Sequence, residues 1–320
     1  MRYFDVFNGD ADGICALRQL RLADPLDSIL VTGLKREIAL LKSVPAESGD
    51  VVTALDISLE RNREALLDML ARGVVVHYFD HHEPGRESVP CHDALLAVID
   101  PRAGACTSSL VDRYLGGRFR AWAVVGAFGD NQPETAMQLA AALALDDGAI
   151  AALRDLGADL NYNSYGASAD DVLIAPEALY RIVRDYEDPF ELARGEAVVR
   201  RIDAERRADL ERALAAQPVR SGAASRTYVL PDAAWSRRVS GTFANRLALD
   251  DPARAHAVLT PDPRGGYVVS VRSPRGRGMT AAELCRRFSG GGRADAGGID
   301  RLDPARLETF LDSFDRAWSA

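Results

Sequence analysis

Lysine is nearly absent from this 320-residue chain. It occurs only at Lys35 and Lys42, so arginine supplies almost all of the positive charge. Cysteine is also scarce: Cys15, Cys91, Cys106 and Cys285 stand far apart, without zinc-finger or disulfide spacing. That scatter argues against a disulfide framework or a thiolate metal site and makes a cytoplasmic setting with reduced thiols the expectation. No apolar run approaches the roughly 20 residues that cross a bilayer. Met1-Arg2-Tyr3-Phe4 leads directly into a strand-like run, so neither a membrane partner nor a secretory leader is expected. A basic surplus is missing too, with a net charge of −8. Avid duplex binders neutralise many phosphates with a basic face, so stable duplex binding is not expected. Internal repeats and low-complexity tracts are absent. What remains is an ordinary globular composition, 47 % hydrophobic and 27 % charged, at a length that predicts two domains.

Strand-like and helix-like segments alternate through the first half. Tyr3 to Phe7, Ser28 to Thr32, Val51 to Leu55, Val74 to Phe79 and Leu95 to Ile99 read as strands. Ala16 to Leu22, Lys35 to Leu41 and Glu60 to Ala71 read as helices between them. Strands apolar on both faces, alternating with helices, predict a mainly parallel sheet covered by helices. A helical half follows, with segments at Thr107 to Leu115, Ala136 to Ala144, Ala149 to Leu156 and Ala178 to Arg184, and an apolar run at Ala121 to Phe128. Asp185 to Pro189 breaks the pattern, and Glu191 to Ala215 reads as one long charged helix. From Thr227 onward strands and helices alternate again. The expected architecture is α/β: a parallel-sheet domain over 1–188, a helical linker over 189–222, and a smaller α/β domain over 223–320.

Polar chemistry gathers where the strands of the first domain end. Tyr3 to Phe7 leads into NGDADG with Asp10 and Asp12, Asp50 to Leu55 into Asp56, and the run from Gly73 to Phe79 into Asp80, His81 and His82. Asp130 closes the apolar run that starts at Ala121. In open α/β sheets ligands collect beyond the carboxyl ends of the strands. Each piece alone is weak: a DxD is commonly a turn or a helix cap, and a His-His pair is often structural. Their joint order points to a metal site of carboxylates and imidazole, a donor set that suits manganese or magnesium. Two such ions about 3.5–4 Å apart generate a nucleophilic water and offset phosphoryl charge. His77 in mid-strand and His92 beside Cys91 read as structural.

The segments NGDADGI, LDIS, FDHH and GDN, in that order, resemble the four motifs of the DHH phosphoesterase superfamily. SVRS (Ser270 to Ser273) and FSGGGRADAGGI (Phe288 to Ile299) resemble that superfamily's associated C-terminal domain, as in RecJ-like and oligoribonuclease-like members. The resemblance spans essentially the whole chain. It implies a manganese-dependent phosphoesterase with two ions, magnesium being an alternative, and a cleft between the domains. By motif, Asp10, Asp12, Asp56, His81 and Asp130 match the metal ligands, His82 the imidazole facing the substrate phosphate, and Asp80 a carboxylate that orients a histidine. Two departures stand out. Relatives usually carry a metal-binding histidine two or four residues before the first motif aspartate, and here those positions are Asn8 and Val6. Asn8 is the expected substitute metal ligand, offering a side-chain oxygen that is neutral and a poorer ligand than imidazole. Arg293 stands where the glycine motif usually has histidine, and it keeps the capacity to hold a phosphate.

The substrate side is expected in the second domain. Seven arginines and one acid, Glu283, lie between Arg264 and Arg293. Arg272, Gly290, Gly291, Gly292 and Arg293 are the expected cradle for a phosphate or sugar, with Gly297-Gly298 keeping the next turn small. Asn245 and Arg246 are lesser candidates for the same cluster. Cys106-Thr107-Ser108 is readable as a phosphate-binding helix start or as a simple cap, and Tyr162 and Tyr165 as base-stacking or junction residues. The expected activity is hydrolysis of phosphate esters of nucleotides or short single-stranded oligonucleotides by a metal-activated water. The alternative is a non-hydrolytic, nucleotide-binding regulatory protein with a degenerate metal site. A homodimer is left open.

Overall fold

A computed structural model describes residues 1–274, 276 and 278–318. The chain divides into two compact units, Met1–Ser164 with Leu173–Asp203, and Tyr165–Val172 with Ala204–Ala320.

The first unit opens with β1 (Tyr3–Asn8), α1 (Ala11–Ala23), β2 (Ile29–Gly33), β3 (Val51–Leu55), α2 (Leu59–Ala71), β4 (Val75–Asp80) and β5 (Leu95–Ile99). The strands form one sheet in the order β2-β1-β3-β4-β5, and every neighbouring pair is parallel. The period-2 alternation of side chains sorts each strand between two faces. Phe4, Val6, Val52, Ala54, Val76 and Tyr78 join Leu59, Leu66, Met69 and Leu70 of α2 in one buried cluster. Each fully buried side chain of this size stabilises the unit by roughly 1.5–3 kcal/mol. Phe7 belongs to the other face, its ring 5.1 Å from that of Tyr180. Asp5, fully buried in β1, accepts from Arg21 Nε of α1 at 2.8 Å and from the Ser28 hydroxyl at 2.6 Å. Helices α3 (Thr107–Tyr114), α4 (Arg120–Gly129), α5 (Pro133–Ala141), α6 (Asp147–Asn163), α7 (Pro176–Val183) and α8 (Pro189–Gly195) form the helical second half. The next helix, α9 (Ala197–Leu214), carries the division between the units, after Asp203.

Two expected helices change. Lys35 to Leu41 is not an α-helix, and only Leu41–Ser43 makes a short 3₁₀ turn. Its backbone groups take tertiary partners instead. Lys35 N–H donates to Ser164 O at 3.0 Å, Leu41 N–H donates to Asn62 Oδ1 at 3.0 Å, and Ile38 O accepts from Asn62 Nδ2 at 2.6 Å. The single helix over Glu191 to Ala215 is broken at Glu196, whose backbone is extended at φ −83°, ψ 122°. The Glu196 carboxylate accepts from the Tyr186 hydroxyl at 3.0 Å and from Val198 N–H at 3.3 Å, which ends one helix and starts the next.

The second unit contains β6 (Arg220–Ser221), β7 (Ser225–Val229), α10 (Ala234–Asp250), β8 (Ala255–Pro261), β9 (Tyr267–Arg272), α11 (Ala281–Arg286), β10 (Gly291–Gly292), β11 (Ala296–Leu302) and α12 (Leu307–Ala317). Its sheet runs β10-β11-β9-β8-β7-β6, with only β7 and β8 parallel. Ala257, Leu259, Val269 and Val271 pack with Leu284, Phe310 and Phe314 from α11 and α12. The segment 165–172 is tied to α10, since Asp171 accepts from Arg237 Nε and a terminal guanidinium nitrogen, both at 2.8 Å. Among the described residues, no helix is long and apolar enough to cross a membrane.

Candidate metal centre

The order β2-β1-β3 makes chain connections leave β1 and β3 in opposite directions, which opens a crevice beyond their carboxyl ends. Asp10 follows β1 and Asp56 follows β3, so the two aspartates flank that crevice. Asp10 is the N-cap of α1, and its Oδ1 accepts Asp12 N–H at 3.0 Å and Gly13 N–H at 3.1 Å. Asp12, in the first turn, reaches the start of α3. Its two oxygens accept Thr107 N–H at 2.7 Å and Ser108 N–H at 2.8 Å. Those amides are therefore taken by a carboxylate of the chain itself, which favours the cap reading of Cys106-Thr107-Ser108 over a phosphate site. Asp56 has φ +58°, a left-handed conformation that side chains other than glycine seldom adopt, and its Oδ1 accepts from the Thr107 hydroxyl at 3.0 Å. Asp130 is the C-cap of α4.

His81 lies in the middle of these acids. Its Nε2 is 3.3 Å from Asp56 Oδ1, and 3.9 Å from both Asp12 Oδ2 and Asp130 Oδ2. Two sets of donor atoms lie within 4.8 Å of one another: Asp12, His81 and Asp130, and Asp56, His81 and His82. Burial disfavours the charged imidazole, yet Asp130, Asp56 and Asp12 outweigh it and hold the His81 pKa up at about 10. Burial, with the neighbouring carboxylates, raises the pKa of Asp12 and lifts that of Asp56 well above the usual range. Negative charge is crowded around His81, and a divalent cation is what such a set of oxygens and imidazole would take. Cys15 and Cys106 are buried nearby, and burial together with the Asp12 charge keeps both as neutral thiols. Among the described residues, neither donor set contains a cysteine.

Asp80 does not join either donor set. It is fully buried, and its Oδ1 accepts His81 N–H at 2.9 Å, His82 N–H at 3.2 Å and His82 Nδ1 at 2.7 Å. A carboxylate only accepts, so Nδ1 carries the hydrogen and Nε2 is left for other partners. The two imidazole rings lie 4.7 Å apart. Asn8, the expected substitute ligand, has other partners: its Oδ1 accepts Asp10 N–H at 3.2 Å and its Nδ2 donates to Lys35 O at 3.1 Å.

Sequence reasoning missed Lys35. Its ammonium pairs with Asp10 Oδ2 and lies 3.9 Å from Asp130 Oδ1. Burial pushes the Asp10 carboxyl up, but the Lys35 charge outweighs it and the net shift is downward. The available signal was its place two residues past a strand paired with β1, where Asn8 is level with Gly33.

In the second unit, Arg272 ends β9 and its Nε donates to Asn245 Oδ1 of α10 at 2.7 Å. Burial lowers the Arg272 pKa, and the nearby Arg293 guanidinium lowers it further against Tyr165 and Asp295. Two guanidinium groups thus share one neighbourhood. The glycine motif is a hairpin, closed by Arg293 N–H donating to Ala296 O at 2.7 Å. Gly297 and Gly298 do not form a turn but lie in β11, since a Cβ on Gly297 would sit 2.7 Å from Cys285 Sγ. Gly290 and Gly292 serve the hairpin's own backbone, where a Cβ would come within 2.2 Å of Gly298 O and 2.4 Å of Ala296 O respectively, whereas Gly291 has open space. Among the described residues, the wider arginine run does not converge. Arg264 pairs with Asp262, Arg286 and Arg287 are exposed on α11 and its end, and Arg246 pairs with Asp250 on an exposed helix face. Arg275 and Arg277 lie outside the described residues.

Neither a protein-family model nor a curated protein sequence matches the chain. Solved structures do. A manganese-bound RecJ exonuclease superposes with a TM-score of 0.63 at 19 % identity, covering 98 % of this chain and 89 % of that one. RecJ from Thermus thermophilus with Mn²⁺ gives 0.66 at 19 % identity over 98 % of this chain and 51 % of that one. A pGpG-specific phosphodiesterase, PggH from Vibrio cholerae, gives 0.56 at 13 % identity over 98 % and 97 %. Over nearly its whole length, the chain has a RecJ-like fold.

Proposed function

We propose that the protein is a metal-dependent phosphoesterase that hydrolyses phosphate esters of nucleotides or short single-stranded oligonucleotides. The observation that carries this reading is the cluster of buried Asp12 and Asp56 with half-buried His81 and Asp130 beside the carboxyl ends of parallel strands, with His82 next to it. Asp12, Asp56, His81 and Asp130 would hold a divalent ion, manganese or magnesium, and Asp10 closes the cluster. Bound there, such an ion would supply Lewis acidity toward a phosphoryl oxygen and lower the pKa of a bound water.

The chain's own groups do the rest. Asp80 fixes the His82 ring through Nδ1, so its Nε2 presents a proton donor or acceptor to a phosphoryl or leaving-group oxygen. Thr107 and the α3 amides hold the Asp56 and Asp12 carboxylates in place before any ligand arrives. Arg272, held by Asn245, and Arg293 form an anion-binding pair for a terminal phosphate, with Gly290, Gly291 and Gly292 shaping the hairpin beside them. The RecJ and pGpG-phosphodiesterase likenesses support a nucleotide or short oligonucleotide over other phosphate esters. The chain's acidity favours small substrates over long duplexes.

The test is a manganese-supplemented assay on di- to pentanucleotides, phosphoadenosine phosphate, cyclic dinucleotides and pyrophosphate. Turnover of at least one nucleotide substrate, abolished by chelator, is expected. No turnover of any of them by protein that binds the ion would overturn the reading.

A further inference from the structure

Lys35 places an ammonium inside the acidic cluster, and it is held there from several sides. Its N–H donates to Ser164 O at 3.0 Å, and its carbonyl accepts from Asn8 Nδ2 at 3.1 Å. Leu34 N–H, just before it, donates to Glu37 Oε2 at 2.8 Å. The side chain is 23 % exposed, and its ammonium meets Asp10 and lies 3.9 Å from Asp130. Asn8 joins the two partners of this ion pair, since the same side chain that holds the Lys35 backbone also accepts Asp10 N–H at 3.2 Å. Both amide functions of Asn8 therefore serve the Lys35–Asp10 pair. The donor sets suited to a divalent ion, by contrast, both include His81, and neither includes Asp10.

We propose that the Lys35 ammonium stands in for one of the two divalent ions expected at this centre. The protein then works with a single ion on Asp12, Asp56, His81 and Asp130, with Asn8 as the positioning residue for the resident ammonium. This inference rests on the metal-centre reading above. Charge exclusion is its physical basis. Asp10 Oδ1 is taken by Asp12 N–H and Gly13 N–H and its Oδ2 by the Lys35 ammonium, so a second dication beside it would face the ammonium across a few ångströms in a poorly solvated pocket, where like charges repel strongly. One dication and one ammonium bring three positive charges to the four carboxylates of Asp10, Asp12, Asp56 and Asp130. An incoming phosphate then meets a fixed ammonium where it would otherwise meet a metal.

The test is a count of ions on the full chain. Chelator-stripped protein is dialysed against saturating Mn²⁺, the bound metal is measured per chain, and the electron paramagnetic resonance spectrum is recorded. The wild type is expected to hold one ion, with the spectrum of an isolated Mn²⁺. Lys35→Met combined with Asn8→His is expected to hold two, with the spectrum of an exchange-coupled pair, a twofold change that a merely structural role would not produce. Two coupled ions on the wild type would overturn this proposal and leave the metal centre standing. No bound ion would overturn both. A folded double variant that still holds one ion would also overturn it, and the wild-type count is decisive even if that variant does not fold.

Discussion

Asp56 shows how far single residues have been committed to the site. A left-handed backbone at a non-glycine position costs on the order of 1–3 kcal/mol, and here it turns the carboxylate from the end of β3 toward His81 and Thr107. His81 yields a pH dependence whose sign is fixed. Its pKa in the metal-free fold is raised to about 10 from an ordinary 6.5, so the imidazole is protonated through the neutral range. An ion that takes Nε2 must displace that proton. Manganese affinity should therefore rise about tenfold per pH unit between roughly pH 7 and 9, one proton leaving per ion. Calorimetric titrations in buffers of different ionisation heat measure this directly. Binding without proton release would exclude His81 as a ligand. The strand-end acids were readable because each closes an apolar run, and Asp80-His81-His82 was readable for the same reason. Lys35 was not, because a lysine after a strand looks like any surface charge until the neighbouring strand brings Asp10 beside it. Asn245 was readable only as a lesser candidate beside Arg246, since it is the packing of α10 against β9 that joins it to Arg272.

Among the elements, the five parallel strands and most helices follow from apolar runs and their periods, within a few residues. The failures have two physical causes. Where side chains of distant elements take over backbone hydrogen bonds, as Asn62 does for Ile38 and Leu41, helical propensity is overridden. At Glu196 the cause is local, since its own carboxylate accepts Val198 N–H and caps a new helix. The glycine hairpin carries a test of its own. Gly291 has open space on its Cβ side, Gly290 would meet Gly298 O at 2.2 Å, and Gly292 combines φ +135° with a 2.4 Å contact to Ala296 O. Gly291→Ala should change stability by no more than about 1 kcal/mol, whereas Gly290→Ala and Gly292→Ala should destabilise by more. Urea unfolding of the three variants ranks them, and a different order would mean the hairpin is built otherwise.

For the whole molecule, net charge sets the class of partner. A chain at −8 has no overall basic surplus to draw it to duplex backbones, and the guanidinium pair in the second unit is local. A large excess of duplex DNA should therefore leave hydrolysis of a short oligonucleotide unchanged at physiological salt. Competitive inhibition by duplex, relieved by added salt, would instead reveal a backbone-binding surface.

The central claim is that the strand-end acids hold an ion that hydrolyses phosphate esters. Its most direct test follows cleavage of a 5′-phosphorylated dinucleotide to mononucleotides, with Mn²⁺ present or chelated, in the wild type and in Asp56→Asn. Asparagine tolerates the left-handed backbone and so preserves the fold while removing the charge. The expected result is Mn²⁺-dependent release of mononucleotides by the wild type. In the folded variant the rate should fall by more than the roughly 10–100-fold that loss of an outer hydrogen-bond partner costs. An intact dinucleotide in the presence of metal-loaded wild type, or equal rates in the two proteins, would contradict the account.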